Sequence, residues 1–256
     1  PGDSSQVMYV WFDALAIYMT GIGYGWDDQQ WKRYWPADMH VIGKDIVRFH
    51  AIYWIGMLLS AHLPLPKTIM THGHITSGGQ KMSKSIGNVI DPYEVVARYG
   101  VDFTRYYLLS EIPTLDDGDF TYSRADELYT SDFANGIGNL ASRVSTLCEK
   151  SEGCFPIRPC TIDPQVAQYI ESYAIREAIQ SIWKHVRDLN KKISDAEPWK
   201  LPSSELEAFL VPIVEELRCI AVSLSPFLPQ LSANLTHHFL QEHIYKINPL
   251  FPRLQK

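Results

Sequence analysis

The amino-acid sequence predicts an α/β protein whose carboxyl-terminal half is entirely helical. Short apolar strands alternate with glycine turns and one helical pattern over residues 1–76, which is typical of an α/β region. From about Ser131 onward, apolar residues recur only at helical spacing. We therefore expect an α/β region at 1–76, a connector at 77–130 and a helical bundle at 131–256.

Three strands are predicted in the α/β region. Residues 7–13 alternate between two faces and predict a strand from Val7 to Ala14, and further strands are expected at about 39–42 and 68–72. The last two strands end at Gly43 and Gly73. Because ligands of open α/β sheets bind beyond the carboxyl ends of the strands, these glycines mark the expected site.

Helices are predicted before the connector and within it. One runs from Asp45 to about Ala61, and a second begins at Asp91 and Pro92, an N-cap followed by a proline at the first helical position. That helix should end at Gly100, a third should begin near Asp102, and residues 116–119 should form a turn. Residues 152–164, with three prolines and a glycine, predict an irregular connection inside the helical half.

Composition excludes several classes of protein. Seven tryptophans and 46% hydrophobic residues exclude disorder. The most apolar stretch, residues 46–65, is interrupted by Arg48, His50, His62 and Pro64, so no membrane partner is expected. The four cysteines contain no Cys-x-x-Cys pair and predict neither a zinc site nor a disulfide framework. With a formal net charge of −6, DNA is not an expected partner, and RNA binding would depend on a few local cations.

The most informative segment is the loop after Gly73. Lys81 and Lys84 lie among serines and glycines, which suits a mobile clamp for a polyphosphate, because lysines can follow a moving phosphate and glycines permit close approach. The spacing is not that of a P-loop. A solvated surface turn is the alternative interpretation.

Three motifs together resemble one family. Lys81-Met-Ser-Lys-Ser85 resembles the signature loop of class I aminoacyl-tRNA synthetases, and Val10-Trp-Phe-Asp-Ala14 and Ile42-Gly-Lys-Asp45 resemble the methionyl-tRNA synthetases. The resemblance implies the second half of a Rossmann-type catalytic domain, a connector bearing the lysine loop, and a helical anticodon-binding domain. It implies methionine, ATP with Mg²⁺, and the methionine tRNA, tRNA(Met), as partners.

The family's His-Ile-Gly-His motif is absent, and the chain begins without an initiator methionine. We therefore expect a piece of a longer protein that does not activate methionine alone.

The resemblance also assigns residues to an ATP site. Lys81 and Lys84 are the expected catalytic residues, since they would meet the charge that grows on departing pyrophosphate. Asp45 would bind ribose, although an N-cap role is the alternative. The implied ATP-binding residues are Gly43, Asp45, Gly73, Ile75, Lys81, Ser83, Lys84 and Ser85.

The methionine pocket is expected on the helix that follows Gly43. His50 and Trp54 are one helical turn apart and can flank one cavity, whose aromatic walls would suit a thioether. Packing of both residues in an apolar core is the alternative. Leu15 stands where proline is common in the family. The implied methionine-binding residues are Trp11, Leu15, Tyr18, His50 and Trp54.

A polar face and one aromatic residue in the helical half suggest RNA binding. Asn135, Asn139 and Arg143 recur every four residues, and side chains of this kind can bind the edges of unstacked bases. Trp199 could stack on a base. The resemblance places all four residues on an anticodon-binding surface, whereas a solvated helix face is the alternative.

Metal binding by the chain itself is not expected. His72 and His74 lie two residues apart on a predicted strand, but two ligands without a third do not make a zinc site. The family's cysteine zinc knuckle would precede residue 1. Mg²⁺ bound with ATP is the expected metal.

Other functions and compartments stay open at this point. A synthetase for leucine, valine or isoleucine would keep the lysine loop but lack the aromatic pocket. A non-enzymatic tRNA-binding relative and a helical interaction module are further alternatives. The run before the first predicted strand favours a mitochondrial matrix form over a bacterial cytoplasmic enzyme.

Overall fold

A computed structural model describes residues 2–254. The chain divides after His74 into two compact units, each with its own hydrophobic core. Among the described residues, no helix combines the length and the apolar character needed to cross a membrane.

The first unit is mostly helical and contains one small parallel sheet. Its core is formed by Leu15, Trp35, Trp54 and Leu58. The elements, in chain order, are α1 (Val10–Thr20), α2 (Asp28–Tyr34), β1 (His40–Gly43), a 3-10 turn (Lys44–Ile46), a π-helix (Phe49–Trp54), α3 (Ile55–Ser60) and β2 (Ile69–His72).

The predicted strand at Val7–Ala14 is wrong, because helix α1 occupies residues 10–20. Seen over a longer window, Trp11, Leu15 and Tyr18 recur at helical spacing and pack on the core of this unit. The alternation over 7–13 is therefore a short part of a helical pattern. A helix also pairs its own backbone groups, whereas an isolated strand would leave them unpaired.

The two other predicted strands are confirmed. β1 and β2 run parallel in register from His40–Ile69 to Gly43–His72. The helix predicted from Asp45 to Ala61 is divided into a 3-10 turn, a π-helix and α3. On this segment His50, Trp54 and Leu58 are buried, while Val47 is exposed.

The second unit joins a three-stranded sheet to a helical bundle. In the sheet, β3 pairs antiparallel with β4 and parallel with β5. The elements are β3 (Ile75–Ser77), β4 (Gln80–Lys81), α4 (Pro92–Tyr99), α5 (Val101–Ser110), β5 (Gly118–Phe120), α6 (Tyr122–Leu128), a π-helix (Tyr129–Gly138), α7 (Asn139–Ser151), α8 (Pro164–Glu171), α9 (Ile175–Ala196), a 3-10 turn (Pro198–Lys200), α10 (Ser203–Ser223) and α11 (Pro229–Phe239).

Several local predictions for this unit are confirmed. Asp91 caps α4 by accepting a hydrogen bond from the Tyr93 amide, and the helix ends at Gly100, whose φ of 85° suits glycine. Residues 152–163 lack helix and strand. The segment predicted as a turn at 116–119 instead leads directly into β5 at Gly118.

One hydrophobic core runs through the whole second unit. Its buried members extend from Val95 in α4 to Ile244 beyond α11. The connector and the helical bundle also share a buried polar contact, in which the Asp102 carboxylate accepts a hydrogen bond from the Leu231 amide at the start of α11. Asp102 of α5 thus caps a helix 129 residues further along the chain.

Candidate active site and nucleic-acid interface

An aromatic cluster in the first unit brings together the five residues predicted to bind methionine. Trp11 and Tyr18 of α1 contact His50 of the π-helix, with ring centroids 6.2 and 5.6 Å apart. The Tyr18 and Trp54 rings lie 6.0 Å apart, and Leu15 packs in the same core. The spacing of α1 and of the π-helix therefore directs these side chains into one place.

The hydrogen bonds of His50 define its tautomer. Nδ1 lies 2.9 Å from the Ile46 carbonyl oxygen, which can only accept, so Nδ1 carries the proton. Nε2 therefore carries the lone pair and accepts a hydrogen bond from the Tyr18 hydroxyl over 2.8 Å. This hydrogen bond holds the Tyr18 side chain against His50 within the aromatic cluster.

His40 is a member of this cluster that the sequence analysis missed. It lies on β1, is buried, and accepts a hydrogen bond at Nε2 from the indole N–H of Trp54 over 3.1 Å. Its ring also lies 4.4 Å from that of Tyr18. Burial lowers the pKa of His40 below its ordinary value, and the nearby His50 lowers it further. His40 is therefore neutral when it accepts from Trp54.

A cavity of about 810 Å³ opens beside the cluster. It is lined by apolar side chains of α1, the π-helix and α3, including Trp11 and Leu15. His50 and Trp54 are 1% and 0% exposed and do not line it. In this structure His50 contacts Trp11 and Tyr18, and Trp54 contacts His40 and Tyr18. Contact between a ligand and either residue would therefore require these aromatic side chains to move.

The residues after β1 carry the predicted nucleotide contacts of the first unit. Gly43 ends β1, and Asp45 lies in the 3-10 turn that follows it. Gly43 occupies the N-cap position of this turn, and Asp45 lies inside it. The Asp45 carboxylate lies 3.0 Å from Nε2 of His74.

His72, the last residue of β2, and His74, two residues beyond it, have different contacts. Nδ1 of His72 lies 2.9 Å from the Gly73 carbonyl oxygen, while His74 contacts Asp45. Within residues 2–254, no group of three or more histidine, cysteine or acidic side chains is arranged to hold a metal ion.

The lysine loop of the second unit is held at both ends by one asparagine. The Asn88 side chain accepts a hydrogen bond from the Ser83 amide over 2.8 Å and donates one to the Lys81 carbonyl over 3.3 Å. The Ser83 and Ser85 hydroxyls lie 2.6 Å apart. Lys84 is exposed at the tip.

The base of the loop is fixed by Asp119 of β5. Its carboxylate accepts hydrogen bonds from the Gly79 amide over 2.8 Å and from the Thr76 hydroxyl over 2.7 Å. Gly78 and Gly79 have φ of 61° and 75°, which lets the chain reverse between β3 and β4. Hydrogen bonds to Asp119 therefore hold the start of the loop, and hydrogen bonds to Asn88 hold the segment that carries the two lysines. Neither Asn88 nor Asp119 was predicted.

The expected RNA-binding residues lie along two adjoining elements of the bundle. Asn135 is on the π-helix, and Asn139 and Arg143 follow on α7. The Arg143 guanidinium lies 6.0 Å from the Trp199 ring and donates a hydrogen bond to the Ser194 hydroxyl over 3.2 Å. Trp199 is 45% exposed, and its carbonyl accepts from Lys150. An exposed ring beside a cation is a suitable platform for a base.

A cleft of about 400 Å³ adjoins the two asparagines of this surface. Asn135 and Asn139 form one wall, and residues 249–253 form the other, including Arg253. The sequence analysis did not single out Arg253. It brings a second cation near the amide side chains.

The parallel β pair that ends in a glycine turn, the clipped lysine loop and the helical bundle together define a class I aminoacyl-tRNA synthetase fold. The family model described as tRNA synthetases class I (M) matches residues 1–145, and the chain belongs to this family.

Curated relatives are methionine–tRNA ligases. That of Caldanaerobacter subterraneus subsp. tengcongensis is 42% identical over 250 residues, which cover 90% of this chain and 39% of the relative. That of Brucella suis is 39% identical over 253 residues, covering 92% of this chain and 49% of the relative. The chain therefore spans less than half the length of these relatives. Both are bacterial and give no support to the expected mitochondrial location.

A solved structure of the family matches the fold over nearly the whole chain. Mycobacterium tuberculosis methionyl-tRNA synthetase in complex with methionyl-adenylate superposes with a TM-score of 0.85 at 33% identity. The match covers 99% of this chain and 57% of that protein.

Proposed function

We propose that the intact protein joins methionine to tRNA(Met) in an ATP-dependent reaction that passes through methionyl-adenylate. The observation that carries this proposal is the aromatic cluster around His50 and Trp54 in a chain that also holds the lysine loop. The relatives are methionine–tRNA ligases, and one solved relative binds methionyl-adenylate.

Methionine would bind at the aromatic cluster. The thioether would contact the rings of Trp11 and Trp54, because sulfur interacts favourably with ring edges. Since Trp54 is buried, binding would begin with movement of the exposed side of the cluster. Trp11 is the side chain that would move, because it is only half-buried and lines the open cavity. It would leave its stacked position on Phe49, where the ring centroids are 4.3 Å apart.

Activation would use the lysine loop. The methionine carboxylate attacks the α-phosphorus of ATP, the bond from that phosphorus to the bridging oxygen breaks, and pyrophosphate leaves. Lys84, supported by Lys81, would meet the negative charge that grows on pyrophosphate, which lowers the barrier more than it strengthens ATP binding. Ser83 and Ser85 would donate hydrogen bonds to phosphate oxygens, and Gly43, Asp45, Gly73 and Ile75 would contact the nucleoside.

Mg²⁺ would accompany ATP. Phosphate oxygens of ATP and water molecules would be its main ligands.

The tRNA anticodon would bind at the surface formed by Asn135, Asn139, Arg143 and Trp199. In this layout residues 1–76 belong to the catalytic domain, 77–130 to the connector and 131–256 to the anticodon-binding domain. The bacterial relatives favour the bacterial cytoplasm over the mitochondrial matrix.

The test is amino-acid-dependent exchange between ATP and pyrophosphate, measured for this chain alone and joined to its native upstream sequence. We expect exchange with methionine only, and only in the longer protein. Exchange with leucine, valine or isoleucine would overturn the specificity. A folded longer protein that binds tRNA(Met) but shows no exchange would favour a non-enzymatic relative.

A further inference from the structure

Two thiols in the helical half lie close enough to react with each other. Cys160 is in the irregular connection at 152–163, and Cys219 is on α10, and their sulfur atoms are 3.2 Å apart. Both cysteines are free. A disulfide requires about 2.0 Å between sulfurs, so the pair is within about 1.2 Å of bonding distance.

We propose that Cys160 and Cys219 are an oxidisable pair that forms a disulfide when the protein meets a peroxide or a small disulfide oxidant. The proposal does not depend on the aminoacylation activity.

Polar contacts on both sides of Cys160 hold its segment against α10. Arg158 forms an ion pair with Glu215 at 3.1 Å, and the Asp163 amide donates to the Ser223 hydroxyl over 3.0 Å. These contacts lie two residues before and three residues after Cys160, and their partners lie on either side of Cys219. The two sulfurs are therefore kept close without a covalent bond, which favours reaction within the chain.

Arg218, next to Cys219 on α10, also holds the segment that carries Cys160. Its buried guanidinium donates hydrogen bonds to the carbonyls of Phe155 and Pro156 in the connection, and to those of Phe239 and Gln241 after α11. The connection therefore has little freedom to carry Cys160 away from α10.

Small reagents can reach the pair from two clefts. Cys219 lines a cleft of about 330 Å³, and Cys160 lines a separate cleft of about 310 Å³. Neither residue is fully buried, in contrast to Cys148. Cys154 is exposed and serves as an internal control.

The direction of the hydrogen bond assigns the order of reaction. The Cys219 thiol donates to the Cys160 sulfur, and burial raises the pKa of the Cys219 thiol to about 12, an effect strengthened by this bond. The Cys219 thiol is therefore the poorer nucleophile of the two, and we place the first attack on the oxidant at Cys160.

With hydrogen peroxide, the Cys160 thiolate forms a bond to one peroxide oxygen as the O–O bond breaks, and the released hydroxide takes up a proton to become water. The Cys219 sulfur then attacks the Cys160 sulfenic acid. The S–S bond forms, the S–O bond breaks, and the leaving hydroxide takes the Cys219 proton. Both sulfurs are oxidised by one electron, and both peroxide oxygens are reduced to water.

The test is to treat the native, reduced full protein with hydrogen peroxide or oxidised glutathione, and to map disulfides by mass spectrometry after alkylation of the remaining thiols. We expect a Cys160–Cys219 peptide and a mass loss of two hydrogen atoms, both reversed by dithiothreitol. Cys160→Ser and Cys219→Ser should abolish the product, while Cys154→Ser should leave its rate unchanged.

Circular dichroism of each variant establishes whether it is folded, and Cys160→Ser alone decides the result if Cys219→Ser does not fold. Three outcomes would overturn the proposal: no internal disulfide in the folded protein, a disulfide that involves Cys154 instead, or equal rates of formation in the native protein and in urea.

Discussion

Trp54 donates its indole N–H to Nε2 of His40 over 3.1 Å, and the two side chains are 0% and 6% exposed. Tryptophan can only donate at this nitrogen, so the bond exists only while Nε2 of His40 carries a lone pair. A proton on that nitrogen would remove the acceptor. The wall of the proposed methionine pocket is therefore linked to the charge state of a residue on the neighbouring strand.

The first prediction concerns pH and the stability of the first unit. The pKa of His40 is lowered from 6.5 on folding, so between the folded and unfolded pKa values the unfolded chain holds more protons. The contribution of His40 to stability should be complete above about pH 6.5 and fall as the pH falls below it. Urea unfolding followed by tryptophan fluorescence across this range measures it.

His40→Gln is the matched control for that measurement, since its amide oxygen accepts from Trp54 but does not titrate. The difference in unfolding free energy between the native protein and His40→Gln should rise with pH. His40→Ala should lose about 1–3 kcal/mol at pH 8, because the buried Trp54 N–H is left unpaired. Parallel pH profiles for the native protein and His40→Gln would contradict the assignment.

The second prediction concerns the hydrogen bonds of Asn88 to the lysine loop. Asn88→Ala removes the bonds to the Ser83 amide and the Lys81 carbonyl, each worth about 0.5–1.5 kcal/mol. Hydrogen exchange at the Ser83 amide should accelerate about two- to tenfold per bond lost. Asn88→Asp keeps the acceptor for Ser83 but loses the donor to Lys81, so its exchange rate should be intermediate. Unchanged exchange in Asn88→Ala would show that the loop is held by other contacts.

The third prediction tests Lys84 in the intact protein. Lys84→Ala should lower the rate of methionine-dependent pyrophosphate exchange about 10²–10³-fold, because charge on the leaving group loses a partner in the transition state. The dissociation constant for methionine should change little. Lys67→Ala, which removes an exposed lysine paired with Asp38, is the control and should keep full activity. Normal exchange in Lys84→Ala would remove its catalytic role.

The fourth prediction concerns Trp199 and tRNA. Trp199→Ala should weaken binding of tRNA(Met) by about 1–3 kcal/mol if one base stacks on the ring. Trp199→Phe should lose less, since an aromatic face is kept. Trp26, which is 68% exposed in the other unit, provides the control, and Trp26→Ala should bind normally. Equal affinities for Trp199→Ala and Trp26→Ala would exclude the stacking role.

The fifth prediction concerns Arg218 as a structural cation. Arg218→Met removes four hydrogen bonds to carbonyls and should cost more than about 3 kcal/mol in unfolding free energy, because hydrogen bonds to charged groups contribute about 1.5–3 kcal/mol each and the carbonyls lose their partner. Arg158→Ala breaks an exposed ion pair and should cost less than about 1 kcal/mol. Chemical denaturation compares the two.

The sequence was sufficient for features that depend on neighbouring residues. Asp91 and Gly100 bound a helix through local capping and positive φ, and the strands before Gly43 and Gly73 are short apolar runs bounded by turn residues. The lysine loop could be recognised because its charges, hydroxyls and glycines lie within one short segment.

Features that depend on distant partners were not predictable in this way. His40 acquires its role from Trp54, which is 14 residues away, and Asp102 caps a helix that begins 129 residues later. His40 and Ile42 lie two residues apart on β1 and are both buried, so they share the core side of the strand. This two-residue spacing is the local signal that could have identified His40 as a buried residue. At 7–13, a seven-residue window fitted both strand and helix periods, and the longer pattern that includes the buried Leu15 decides between them.

The continuous core from Val95 to Ile244 restricts where this chain can be divided. A recombinant bundle that began at residue 131 would lose the α4 and α5 side of its core and expose Phe133, Trp183 and their neighbours to water. A transfer of the helical bundle between relatives should therefore move residues 75–254 as one piece, with the lysine loop included. A substitution in α4 or α5 can therefore change the packing of the bundle as well, because Val95, Tyr99 and Phe103 belong to the same core.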